Sequence, residues 1–454
     1  MRDRRHDRRH DRRHDREIAL LAVPALLTLL AEPAYLLADT AVVGHLGTPE
    51  LGGLAVASAV LLSVVSLSIF LAYGTTASVS RLLGAGEDRA AAHEAVQGIW
   101  LALLVGVVLG ALIAVGASPL VRLLGARGEV AANALVYLRI SLVGLPFLLS
   151  GLAATGYLRG RRDTRTPLVV AVLGATLNLV LEVVLIFGFG QGIGASALST
   201  VLAQVVSAMA FALVVARGVR PWGVSWWPHL STQGRLVRVG ASLVVRTAAL
   251  RGSLVALTAV AARIGRADLA AHQIAFEVWS TLAMALDALA IAAQALVGRY
   301  LGAGEPAQAR EVGNRLLRIG LWGAVLTAVV VVAASPVLPQ VFSSDPLVIE
   351  RTRHLLWWVG GLQGFAAVAF VLDGVLIGAG DLRFLAWAMA VSAGALVMAT
   401  LPILPLGLGI GWVWVALGVL MATRCAFLLV RYRGDEWAVV GATRAGRGAR
   451  AGVA

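Results

Sequence analysis

Twelve stretches of mostly apolar residues alternate with short polar breaks along this chain. They run at about 17–44, 51–79, 91–116, 130–158, 166–189, 193–217, 236–262, 269–298, 310–335, 350–377, 384–406 and 411–432. At a rise of ~1.5 Å per residue, each is about long enough for a helix to cross hydrocarbon ~30 Å thick. A β-barrel would show alternating segments of roughly ten residues instead. The pattern predicts an all-α polytopic membrane protein with twelve transmembrane helices.

The polar breaks repeat. LGAGE at Leu83–Glu87 returns as LGAGE at Leu301–Glu305, an offset of 218 residues (83 to 301). At the same offset Gly47, Glu50 and Leu51 return as Gly265, Asp268 and Leu269. Gly156, Gly160, Asp163 and Arg165 return as Gly374, Gly378, Asp381 and Arg383. The spans therefore form two pseudo-symmetric six-helix halves, 17–220 and 236–433. Six spans per half make the repeat parallel, with substrate expected between the halves. Residues 221–235, with Pro221 and Pro228, form the inter-half linker. A basic low-complexity tail precedes the first span at 1–16, and residues 434–454 are expected to be a disordered tail.

Composition agrees: 59% of residues are hydrophobic and only 14% charged, far less charge than a soluble chain carries. The net charge of +13 does not indicate nucleic-acid binding. The arginines gather mostly at one side of the spans and in the first tail. Arg81, Arg89, Arg159, Arg161, Arg162, Arg165, Arg217, Arg220, Arg235, Arg299, Arg310, Arg315, Arg318 and Arg383 fall in even-numbered loops. Only Arg122, Arg127, Arg263, Arg266, Arg351 and Arg353 fall in odd-numbered ones. The positive-inside rule then puts both termini in the cytoplasm. No cleavable signal peptide is visible, and Cys425, the single cysteine, excludes an intrachain disulfide. In the first tail His6, His10 and His14 would share a helix face. Metal binding there is weighed against a solvated tail with weak affinity for anionic lipid.

Ionisable residues inside spans cost roughly 2.5–3.5 kcal/mol each on insertion scales and need a reason. Asp39 and Tyr35 in span 1, Asn178 and Glu182 in span 5 and Thr200 in span 6 fall at nearly one level, in the outer half of the bilayer. Asn178 and Glu182 share a helix face, as do Tyr35 and Asp39. Desolvation and like charge disfavour two ionised carboxylates together, so such a pair can take up and release a proton. The same oxygens suit a small hard cation such as Na⁺. A polar knot that only ties helices together is the structural alternative. Pro24 and Pro33 remove backbone hydrogen bonds from span 1, which can make it a bending, gating helix. The cluster is not duplicated: Asp39, Asn178 and Glu182 fall opposite Leu257, Leu396 and Thr400.

VPALLTLLAEPAYLLADTAVVGHLG in span 1, RGRRDTRTPL after span 4 and DLAAHQIAFEVWSTLAMALDALAIAAQALVGRYLGAG in span 8 resemble the multidrug and toxic compound extrusion (MATE) family. The branch named for DNA-damage-inducible protein F (DinF) is the most similar, and the resemblance covers roughly residues 17–433. It implies a bacterial inner-membrane antiporter that exports amphipathic organic compounds in exchange for H⁺ or Na⁺ by rocker-switch alternating access. It also implies a cation-coupling site at Asp39, Glu182, Asn178, Tyr35 and Thr200. Glu182 stands where an archaeal relative has aspartate, one methylene shorter. No other cofactor or metal is expected, and the transporter is expected to act as a monomer.

In the second half, span 7 carries Arg246 and Arg251 and no acid, against a helix 7 carboxylate mechanism. Arg246 is expected to face Asp287, and Arg251 to lie near Glu277. These residues, with Gln273 and Gln294, form either ion pairs or a polar cavity wall. Glu32 and Asp373 receive no role. The glycine-rich turns lack the GK[ST] element of a phosphate loop, and no HExxH or nucleophile elbow occurs. A lipid-linked-sugar or lipid flippase of the same superfamily and a membrane-embedded lipid transferase are the alternative functions. The transferase would need loop clusters of acids, histidines and bases that are absent. A channel would need a ring of acids.

Overall fold

A backbone in hydrocarbon must satisfy its own hydrogen bonds, and a helix does so within one segment. The computed structural model describes residues 2–443, with side chains from His14 onward. The helices are α1 (Arg2–Gly44), α2 (Thr48–Ser68), α3 (Phe70–Gly84), α4 (Asp88–Leu123), α5 (Gly128–Gly160), α6 (Arg165–Val183) and α7 (Ile193–Val219). They continue with α8 (Leu230–Ile264), α9 (Arg266–Gly302), α10 (Pro306–Ala334), α11 (Leu338–Phe342), α12 (Pro346–Gly378), α13 (Leu382–Thr400) and α14 (Ile410–Arg433). Among the described residues, twelve spans are long and apolar enough to cross a membrane. The second span is two helices, α2 and α3, meeting at Ile69. The fifth ends in a π-helical turn, Val184–Gly188. The helix α8 starts at Leu230, inside the segment expected to be linker.

Contacts divide the chain into two compact units, Val23–Gly240 and Met1–Ala22 with Ala241–Ala454. In the first, α5 packs against α2, α3, α4 and α7 around fully buried Leu138, Leu145 and Leu149. In the second, α12 packs against α9, α10 and α14. The duplicated glycines make the same contact in each. A Cβ on Gly156 would lie 2.5 Å from the Ala72 carbonyl oxygen, and one on Gly374 would lie 2.4 Å from that of Ala290. Glycine is required at both because two helix backbones touch there.

The duplicated turns share one hydrogen-bond pattern. Glu87, Glu305, Asp163 and Asp381 each donate their backbone N–H to the carbonyl five residues earlier, at 2.8–2.9 Å. This closes the helix end after a residue with left-handed backbone. That residue is Gly86, Gly304, Gly380 and, in one case, Arg162 at φ 64°. Asp163 then caps α6, accepting from the Thr166 backbone N–H at 2.9 Å and its hydroxyl at 2.6 Å.

Both tails have structure. The helix α1 runs unbroken from Arg2, and Asp15 accepts from Arg315 of α10 at 2.7 and 2.5 Å. The His14 ring is buried, edge-on to Tyr300 and 3.9 Å from Glu311. The side chains of His6 and His10 lie outside the described residues. The expectation of disorder from residue 434 is corrected as far as residue 443. Trp437 is fully buried, stacks on Tyr432 at 5.2 Å and donates to the Tyr432 carbonyl at 3.0 Å. Arg310 donates to the Tyr432 and Gly434 carbonyls and to Asp435. Stacking and a shared guanidinium hold a segment whose composition resembles a solvated tail. Residues 444–454 lie outside the described residues.

Gly156→Val and Gly374→Val should each remove most of the monodisperse protein recovered in detergent, because a branched side chain meets backbone. Gel filtration checks this; recovery at wild-type levels in both variants would contradict the repeated contact.

Candidate functional site: a buried polar cluster in the first repeat

Tyr35 and Asp39 lie one turn apart on α1, and Asn178 and Glu182 one turn apart on α6. The helix α7 adds Ser196, Ser199 and Thr200. Asp39, Asn178, Glu182, Ser196 and Ser199 are all buried, with Glu182 at 0% exposure. The Ser196 hydroxyl donates to Asp39 Oδ1 at 3.0 Å. Asn178 Nδ2 donates to Thr200 Oγ1 at 3.0 Å and to Ser199 Oγ at 3.4 Å. The Tyr35 and Thr200 hydroxyls are 3.0 Å apart. All five sequence-predicted residues thus enter one cluster.

The cluster has an excess of acceptors. The Asp39 and Glu182 carboxyls lie within interacting range of each other, with Ser196 beside both. Among the described residues, neither Glu182 oxygen accepts a hydrogen bond, nor does Asn178 Oδ1. A buried polar atom left unsatisfied costs ~1–3 kcal/mol, and an ionised one more. The chemical deficit is positive charge: a proton on a carboxyl, or a cation among the oxygens, would satisfy these atoms.

Three members were not anticipated. Ser196 and Ser199 are single hydroxyls in an apolar span, and such hydroxyls usually bond the helix backbone, as Ser199 also does to the Ser196 carbonyl at 2.8 Å. The third is Tyr137 of α5, buried beside Asp39, Thr200, Glu182 and Ser196. The polar spacing of α7, with Ser196, Ser199 and Thr200 on one face, was the available signal. Pro24 and Pro33 both lie inside helical α1. Pro33 has no N–H for the Leu29 carbonyl, one turn before the cluster begins.

In the second repeat four of the equivalent positions are apolar, while Thr400 and Ser253 stand opposite Glu182 and Tyr35. Leu257, Leu396 and Leu355 stand opposite Asp39, Asn178 and Tyr137, and Trp414 stands opposite Ser196. All four are essentially buried in one hydrophobic cluster. The indole fills what is a polar cluster in the first repeat.

The ionisable groups of the second repeat lie elsewhere. Buried Arg246 pairs with Asp373 of α12, and so does buried Arg424 of α14. Asp373 had no role in the sequence reading, which assigned Asp287 to Arg246. The Arg424 guanidinium also sits 5.4 Å from the Phe370 ring centre. Arg251 and Glu277 are both exposed, and no ion pair joins them among the described residues. That expected pairing is corrected: each side chain points to the unit's surface, where neither needs the other. Gln273 is exposed, whereas Gln294 is buried, its backbone against Gly378. Gln294 belongs to a helix–helix seam.

Twelve spans in two repeats, with an ionisable cluster buried in one of them, define a polytopic membrane transporter. The sequence model of the MatE family matches residues 24–184 and 243–403. DNA damage-inducible protein F of Escherichia coli (strain K12) is 30% identical over 91% of this chain and 91% of its own length. Protein DETOXIFICATION 44, chloroplastic, of Arabidopsis thaliana is 32% identical over 90% of this chain and 80% of its own. Among solved structures, a transporter of the MOP superfamily from Pyrococcus furiosus superposes with a TM-score of 0.83. It is 20% identical and covers 92% of this chain and 94% of its own. The eukaryotic MATE transporter AtDTX14 gives 0.82 at 18% identity, over 94% and 97%. The chain belongs to the MatE family of membrane transporters, and it is not an enzyme.

Asp373→Asn should destabilise the protein by about 3–5 kcal/mol, because it removes a carboxylate shared by two buried guanidiniums. Arg246→Gln should cost less. Thermal unfolding in detergent orders the two; equal and negligible losses would contradict the shared ion pair.

Proposed function

We propose that this chain is a secondary antiporter that exports amphipathic organic compounds in exchange for H⁺ or Na⁺. The observation that carries the proposal is the acceptor excess around Asp39 and Glu182. Two carboxyls share a membrane-buried cluster in which, among the described residues, a single hydroxyl, that of Ser196, is bonded to either of them. The uptake of a cation neutralises the pair; its release restores the repulsion. The cluster joins α1, α6 and α7, so occupancy changes how α1 is held against its neighbours. The break in the α1 backbone bonding at Pro33 lets that helix respond by bending. The geometry favours the proton, which turns one carboxyl into the missing donor. The Na⁺ alternative would use Asp39, Asn178 Oδ1, Glu182 and Thr200 as oxygen ligands.

Related proteins support the export direction. A relative from Thermotoga maritima, 28% identical over 80% of this chain, carries the description probable multidrug resistance protein NorM. In this proposal the protein works as a monomer in a bacterial inner membrane, with both termini cytoplasmic.

Efflux of an amphipathic dye from proteoliposomes, driven by a proton gradient or a sodium gradient applied alone, tests the reading. One gradient should drive efflux, and Asp39→Asn should abolish it while preserving folding. Undiminished efflux in Asp39→Asn would remove the assignment. Glu182→Gln should retain some transport with an altered pH profile; an unchanged profile would leave Glu182 a structural part.

A further inference from the structure

The segment between α7 and α8 displays large apolar side chains. Trp222 is 43% exposed, Trp226 50%, Trp227 76% and Leu230 89%. A loose loop could fold such rings away, but this one is held rigidly. Gln97 of α4, fully buried, accepts from the His229 backbone N–H at 2.8 Å and donates to the Trp227 carbonyl at 2.9 Å. Gln233 donates to both Gln97 oxygens at 3.0 Å, and the Trp100 indole donates to the Trp226 carbonyl at 2.7 Å. Arg235 pairs with Glu94 at 2.5 Å, and Glu94 also accepts from Ser78 at 2.7 Å. A buried amide and a buried acid are thus committed to presenting tryptophans outward.

Beside these rings lies an open cleft of about 580 Å³ between the start of α4 and the segment. Its polar lining is Glu87, Arg89, His93, Ser225 and His229. The side chains of Glu87, Arg89 and His93 make no hydrogen bond or ion pair among the described residues. The His93 and His229 rings meet edge to face at 5.0 Å.

We propose that this cleft is a phospholipid-headgroup site, selective for a headgroup that carries both a phosphate and a primary ammonium. The segment links two apolar spans, so it lies where hydrocarbon meets water, the level that tryptophan rings prefer. Exposed Trp226, Trp227 and Leu230 then seat among acyl chains, and the cleft faces the headgroups. Arg89, with the imidazoles of His93 and His229, donates to the phosphate. Glu87 accepts from the ammonium. The carboxylate opposes a purely anionic headgroup, and a quaternary ammonium offers it no N–H. Phosphatidylethanolamine has the required chemistry. The protein chain joining the two repeats is thereby tied to the bilayer surface.

The full chain in detergent is titrated with phosphatidylethanolamine, phosphatidylcholine or phosphatidylglycerol, and binding is read as a rise in the unfolding midpoint. Half-saturation by phosphatidylethanolamine should come at a concentration about tenfold below the other two, the ratio one charge-assisted hydrogen bond supports. Glu87→Gln and Arg89→Gln, both at exposed positions, should fold normally and lose that preference. Soluble phosphoethanolamine should not compete. A fluorophore on Trp227→Cys in a Cys425→Ser background should be quenched by brominated lipid rather than by iodide. Equal binding of the three lipids, a preference untouched by both variants, competition by soluble phosphoethanolamine, or quenching by iodide alone would each overturn the proposal.

Discussion

Hydrocarbon neither donates nor accepts hydrogen bonds, and every other feature of this protein answers to that fact. Backbone groups close on themselves in helices, and the helix ends at the duplicated turns close through left-handed residues. Buried charges find partners: Arg246 and Arg424 share Asp373. Against that background, Glu182 stands out among the described carboxyl groups: both of its oxygens are buried without a hydrogen-bond partner.

Duplication separates frame from function. Gly156 and Gly374 make one helix contact twice, and the four turns make one hydrogen-bond pattern four times. The repeats diverge where Ser196 becomes Trp414 and Asp39 becomes Leu257. A single ancestral packing scheme therefore tolerates either a polar cluster or a solid apolar core at the same place.

Much of this was legible in the sequence for one physical reason: charge in an apolar run has a large cost, so it is conspicuous. Asp39 and Glu182 could be singled out by that cost, and helical spacing then brought in Asn178 and Tyr35. Ser196 and Ser199 escaped because a serine hydroxyl can be satisfied by its own helix and raises no alarm, and Tyr137 because its place in span 4 does not by itself show that it faces Asp39. The pairing of Arg246 with Asp373 was not foreseen, because depth along a span says nothing about which neighbouring helix a side chain faces. The segment after Arg433 looked solvated because its glycines and charges outnumber Trp437. Only the meeting of that indole with Tyr432 and Arg310 reveals a packed end.

Trp437 also has a meaning in time. It is among the last described residues to be synthesised, yet it is fully buried against Tyr432. Nearby, the Gly441 N–H bonds the Leu301 carbonyl at the second LGAGE turn. A nascent chain can insert all twelve spans and still lack this closure. The indole acts as a seal set after the helices it covers, so a chain cut short just before it would carry every span and leave the end of α14 bare.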